Sequence, residues 1–239
     1  MAEKFGSKVA LVAGGTGGLG RAVSLAFLEQ DYKVGVTYRR PEEWETLQTS
    51  AGVKKADLEG YSADVTDQAA MAGLIENLVA KHGRLDALVN TVGGYAGGIN
   101  LWELDSKVFE QMLALNLRSG FALSRAAVPL MLKQRNGSIV NVAAKAAFDH
   151  AAGAAAYAAS KAAAVAMMDS LAADLKGTGV RVNSILPSII DTDANRKAMP
   201  KSDFTKWPKP EGIARVILFL CSDDAKVIQG AAIPVYGDS

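Results

Sequence analysis

The chain has 239 residues, 49% of them hydrophobic, with 26 Lys+Arg against 25 Asp+Glu, one cysteine and two histidines. A formal net charge of +1 excludes the basic field of a non-specific nucleic-acid binder, and a lone Cys221 excludes an internal disulfide. The chain is long enough to bury a core without disulfide or metal, and no His/Cys cluster suggests a structural zinc site.

Residues 1–8 precede the apolar run 9–13, which is shorter than the roughly 7–15 residues of a signal-peptide core. The expectation is a cytoplasmic chain. Residues 9–12 read as a buried strand, the glycine-rich 13–20 as a turn, and 19–30 as a helix. Further strands are expected at 33–37, 87–90, 137–142, 180–186 and 232–235. Helices are expected at 68–82, 107–134, 155–176 and 211–221. The Ala-rich stretch 151–168 is interrupted by Ser160 and Lys161 and reads as a soluble helix, with no membrane span. Residues 191–210, with Pro200, Pro208 and Pro210, read as one long irregular loop of the kind that forms lids. Alternation of this sort predicts an α/β chain, a Rossmann-type doubly wound parallel sheet with helices on both faces, in one domain over 1–239.

The glycines fit two patterns, Gly15-x-Gly17-x-x-Gly20 and Gly14-x-x-x-Gly18-x-Gly20. Glycine permits a tight turn and lets backbone N–H groups approach a pyrophosphate at the positive end of the following helix. A glycine turn without ligand is the plainer reading; a strand before it and a helix after favour the phosphate one. Gly14, Thr16, Gly18, Leu19 and Gly20 are therefore candidate cofactor residues. The second strand runs into Tyr38-Arg39-Arg40, with no carboxylate before Glu42. Guanidinium groups at Arg39 and Arg40 match a 2′-phosphate, so NADP(H) is expected in preference to NAD(H), unless the pair is only a solvated basic turn.

Tyr157-Ala-Ala-Ser-Lys161 places a phenol and an ammonium four residues apart on one helix face. A neighbouring cation favours phenolate and so makes tyrosine a usable acid/base group near neutral pH. With the glycine turn, this pair makes the chain resemble the short-chain dehydrogenase/reductase family over nearly its whole length. The resemblance implies an oxidoreductase with Tyr157 as proton donor, Lys161 tuning it and anchoring the ribose, and Asn116 holding a water of the proton relay. It also implies adenine contacts at Asp64 and Val65, cofactor contacts at Asn90 and Gly93, and a nicotinamide carboxamide held by Ile190 and Thr192. Family members associate through helices corresponding to 107–134 and 155–176, which implies a homodimer or homotetramer acting on a small molecule.

One position departs from the pattern. The family's substrate-polarising Ser lies thirteen residues before the Tyr, which here is Ala144, and Val142-Ala-Ala-Lys145 holds no hydroxyl. Within the family, quinonoid dihydropteridine reductases also lack that Ser and carry an element similar to Gly93-Gly-Tyr95-Ala-Gly-Gly98, with a substrate loop similar to 191–207. Those reductases prefer NADH with an Asp after strand two, from which Tyr38-Arg39 departs. The resemblance implies a quinonoid dihydropterin, or a similar conjugated imine or quinone, as substrate. Hydride delivery to such a ring leaves a nitrogen anion that one donor can protonate. Tyr95 would stack on the ring, His150 would line the mouth and Trp207 would close over it. A half-exposed loop aromatic, a surface histidine and simple loop packing are the structural alternatives for the three. Two other functions stay open: an NADPH-dependent carbonyl or 3-oxoacyl reductase, and a cofactor-binding regulator without turnover.

Overall fold

Every side chain of β1 (Val9–Ala13) is buried, and alternate residues enter different cores. Ala10 and Val12 join one apolar cluster; Val9, Leu11 and Ala13 join another on the opposite face. This is what a strand covered on both sides requires, and it explains a run of apolar residues with no polar alternation. The computed structural model describes residues 7–239, so the expectation for residues 1–6 lies outside it.

β1 pairs in parallel with β2 (Lys33–Tyr38) on one side and β4 (Ala87–Asn90) on the other. The sheet has seven strands in the order β3-β2-β1-β4-β5-β6-β7, with β3 at Leu58–Ser62, β5 at Gly137–Val142, β6 at Val180–Pro187 and β7 at Ala232–Val235. α1 (Gly18–Glu29), α2 (Pro41–Ala51) and α8 (Pro210–Cys221) contribute to the first core. α3 (Gln68–His82), α5 (Ser119–Gln134) and α6 (Ala155–Asp174) contribute to the second. The fold is the expected doubly wound α/β sheet. Among the described residues no helix is long and apolar enough to cross a membrane.

Four segments differ from the sequence expectation. β3 is an edge strand whose Leu-Glu-Gly-Tyr-Ser sequence buries only Leu58, so it gives no apolar run. α2 is polar, with Leu47 and Ala51 its only buried residues, and its sequence signal was Pro41 at the first helical position. The expected helix 107–134 is divided into α4 (Ser106–Leu113), a π-helical turn at Ala114–Arg118, and α5. The loop 191–210 is also partly ordered, containing α7 (Asp193–Ala198) and a 3₁₀ turn at Phe204–Lys206.

Candidate active site

Strand order reverses between β1 and β4, which opens a crevice beyond their C-terminal ends. Gly14 leaves β1 with φ of 72°, and a Cβ there would come within 3.0 Å of Thr91 Oγ1 and Val92. Thr91 fixes this wall by donating its N–H and hydroxyl to Ala13 O at 3.0 and 2.7 Å. At Gly20 a Cβ would lie 2.0 Å from Gly14 O, so only glycine lets α1 start this close to the turn. No acidic side chain occupies the first turn of α1. Its free N–H groups and dipole are left to face an anion. Glycine at both positions keeps the turn pressed against Thr91 and the start of α1, so the helix N-terminus opens directly onto the turn, an arrangement that fits a pyrophosphate.

A cleft of about 670 Å³ runs from this turn along the end of β2. Of the sequence candidates, Gly14, Thr16, Arg39, Arg40, Asp64, Val65 and Gly93 line it. Gly18, Leu19, Ile190 and Thr192 line an adjoining groove of about 970 Å³. Asn90 lies beneath: its amide donates to Asn141 Oδ1 at 2.9 Å and Ser119 Oγ at 3.3 Å, tying β4 to β5 and α5. The N–H and hydroxyl of Thr66 hold the Asp64 carboxyl below the usual carboxylate range, with nearby Arg39 adding to the effect. Arg40 is paired with Glu43, whose other oxygen accepts from Thr16 Oγ1 at 3.1 Å. Glu43 has no counterpart in the sequence expectation, because α2 was not read.

Tyr157 and Lys161 occupy the first two turns of α6, Tyr157 half-buried and Lys161 buried. Lys161 is 4% exposed and donates from Nζ to Val142 O at 3.0 Å. Burial pushes its ammonium down to about 8. Burial, and secondarily the neighbouring Tyr95, pushes the Tyr157 phenol up to about 12. Lys161 Nζ is engaged by the Val142 carbonyl, and burial is the larger influence on the Tyr157 phenol. Tyr157 is a protonated donor at neutral pH. Lys161 has a consequence for stability. Its pKa is depressed from 10.5 to about 8, so the unfolded chain binds more protons across that interval and stability rises with pH there. At neutral pH the buried charge costs stability. Lys161→Met is expected to stabilise the protein at pH 7 by on the order of 1–2 kcal/mol and to abolish the alkaline rise. Urea denaturation at about pH 7 and about pH 9 measures both.

The π-helical turn places Asn116, buried, between the glycine segment after β4 and α6. Its Oδ1 accepts the Gly94 N–H at 2.9 Å, while Nδ2 donates to Gly94 O at 3.1 Å and Ser160 Oγ at 2.9 Å. Asn116 thus ties the glycine segment after β4 to the helix that carries Tyr157 and Lys161. A lone extra residue in an α-helix often marks such a site. Tyr95 packs its ring on Tyr157, centroids 5.0 Å apart and nearly perpendicular. Ala144 is buried beside this region with extended backbone. Lys145 is drawn to Asp149 at 3.7 Å and lies 5.2 Å over the Tyr236 ring.

The remaining candidates are His150 and Trp207. His150 is exposed, with Nε2 3.3 Å from Ala147 O. Trp207 is 7% exposed and packs on Phe204, centroids 4.9 Å apart, with Arg196 over the Phe204 ring. Arg196 in turn grips Asp191 through two hydrogen bonds of 2.5 and 2.8 Å. These contacts anchor the segment after β6 and keep Trp207 inside it.

Residues 8–203 match the short chain dehydrogenase family. The chain is 33% identical to a 3-oxoacyl-[acyl-carrier-protein] reductase of Thermotoga maritima, with 96% of each chain covered. It is 33% identical to a D-threitol dehydrogenase of Mycolicibacterium smegmatis, over 98% of this chain and 93% of that one. Its structure superposes on ElxO with NADP bound at a TM-score of 0.91 and 26% identity, over 97% and 98% of the two chains. It superposes on a NAD+-bound xylitol dehydrogenase at 0.89 and 27% identity, over 98% and 100%.

Proposed function

The chain belongs to the short-chain dehydrogenase family, and from that premise we propose that it is an NADP(H)-dependent reductase of carbonyl compounds. The observation that carries this reading is a half-buried Tyr157 one helical turn before the buried Lys161 on α6, in a chain whose glycine turn opens a cleft at the end of β1. Relatives that act on 3-oxoacyl thioesters and on a sugar alcohol support a carbonyl substrate over the pterin expected from the loop motifs. The bound nicotinamide would supply the hydride. Tyr157 donates the proton from its hydroxyl to the developing alkoxide. Lys161 lies one turn further along α6, where its ammonium anchors the nicotinamide ribose and offsets charge on the phenol oxygen. Asn116 holds the helix and the loop at Gly94 in register. Gly14, Thr16, Gly18, Leu19 and Gly20 would hold the pyrophosphate, Asp64 and Val65 the adenine, and Ile190 and Thr192 the carboxamide.

A second reading is favoured by Ala144 and Tyr95. A planar quinonoid pterin or quinone needs no second donor, and Tyr95 offers it an aromatic face beside Tyr157. Comparing kcat/KM for a 3-oxoacyl thioester and a quinonoid dihydropterin, with NADPH saturating, decides between them. The carbonyl reading expects the thioester to be preferred; a preference for the pterin overturns it. Copies of the chain are proposed to associate through the apolar groove between α5 and α6, where Phe121, Val128, Met167 and Leu171 are gathered.

The cofactor reading has its own expectation. Arg39 lines the cleft and makes no ion pair among the described residues, which leaves its guanidinium for the 2′-phosphate. Charge-assisted contacts of this kind are worth about 1.5–3 kcal/mol, about tenfold to a hundredfold in affinity. Arg39→Ala is expected to weaken NADPH by about that factor and to leave NADH nearly unchanged in calorimetric titration at low salt.

A further inference from the structure

We propose that Glu43 sets the balance between NAD(H) and NADP(H), supplying from the first turn of α2 the carboxylate that the end of β2 lacks. The inference rests on the reading of the cleft as the nucleotide site. Pro41 opens α2 immediately after Arg40, so the chain turns back at once and Glu43 reaches the cleft wall beside Thr16, Arg39 and Arg40. Both of its carboxylate oxygens are engaged there. Oε2 accepts the Thr16 hydroxyl at 3.1 Å, tying α2 to the glycine turn, and Oε1 holds the Arg40 guanidinium. The Glu43 side chain is 28% exposed against 68% for Arg40, so the acid is the inner member of the pair.

The two arginines are therefore unequal. Arg39 has no such partner among the described residues, whereas Arg40 is already neutralised by Glu43. A carboxylate at this end of the cleft accepts a hydrogen bond from a ribose 2′-hydroxyl. It repels a 2′-phosphate and withholds Arg40 from it. Discrimination is a difference between two affinities, and a repulsive group shifts it as surely as an attractive one. Arg39 pulls toward NADP(H) and Glu43 pulls back, so the wild-type preference is moderated and both nucleotides remain usable.

The test is calorimetric titration of NADH and NADPH at low salt into the wild type, Glu43→Gln, Glu42→Gln and Arg39→Ala. Glu43→Gln keeps an acceptor for Thr16 and loses only the charge. It is expected to tighten NADPH and weaken NADH together, raising the ratio Kd(NADH)/Kd(NADPH) by about tenfold, which opposite-signed shifts of a few-fold each produce. Glu42 is the exposed neighbour and carries the same charge; its replacement is expected to change the ratio by less than about twofold. A merely structural role for Glu43 moves both affinities in the same direction. That result, or equal ratios in the Glu43 and Glu42 variants, overturns the proposal. If Arg39→Ala leaves NADPH unchanged, the preference for the phosphate fails by itself. Glu43 is then judged on NADH: a loss in Glu43→Gln upholds its role and no loss overturns it.

Discussion

Replacing Tyr157 with Phe is expected to lower kcat/KM for carbonyl reduction by about a hundredfold to ten-thousandfold while leaving nucleotide affinity within about twofold. The phenol is the group of the site placed to give a proton, and burial with Tyr95 nearby keeps it protonated, with a pKa up to about 12. The sign follows directly. A raised pKa preserves the acid form, so the reductive rate does not fall through loss of the tyrosine proton between about pH 6 and pH 9. The reverse oxidation needs the phenolate and is expected to rise over the same interval. An inflection near pH 8 in the reductive direction is expected from Lys161, whose ammonium burial pushes down to about 8. Phe keeps the ring that packs on Tyr95, so stability should change little. Steady-state kinetics across pH, with Kd for NADPH measured separately, checks each part.

Ala144→Ser gives the second large effect. Ketone reduction develops alkoxide charge, and one preorganised donor aimed at that oxygen is worth about a hundredfold to a thousandfold. Ala144 is buried beside β5 with no hydroxyl among its immediate neighbours. A serine there is expected to raise kcat/KM for ketones and 3-oxoacyl thioesters by up to about that factor. Reduction of a planar quinone or pterin, which forms no alkoxide at a tetrahedral carbon, should stay level or fall. The change is measured as the ratio of the two activities in variant and wild type. A uniform change in both shows that residue 144 does not face the reacting atom.

Much of the site was legible because its chemistry constrains residue type. The glycine turn needs Gly14 and Gly20 for close backbone approach, and the spacing from Tyr157 to Lys161 follows from one helical turn. Fold class followed from buried runs such as Val9–Ala13, which only a sheet covered on both faces accommodates. The missed parts carry little apolar signal. β3 buries one residue, and α2 buries two, so neither stands out by periodicity. With α2 unread, Glu43 could not be placed, and Arg39 and Arg40 looked equivalent. The π-helical turn at Asn116 is set by tertiary bonds to Gly94 and Ser160 that no local pattern records. For Trp207 the sequence left a closing role and simple packing equally open; the side chain is 7% exposed and packs on Phe204, a contact that no local pattern records.

The central claim is that this chain transfers hydride from a reduced nicotinamide to a carbonyl carbon while Tyr157 supplies the proton. The most direct measurement uses NADPH with both C4 hydrogens replaced by deuterium and a panel of ketones and 3-oxoacyl thioesters, followed by mass spectrometry of the products. The account predicts one deuterium at the carbinol carbon of the alcohol from the wild type, and little or none from Tyr157→Phe at equal nucleotide occupancy. Tight binding of NADPH by the wild type with no deuterium in any alcohol would contradict it, and would leave a nucleotide-binding protein that does not reduce carbonyls.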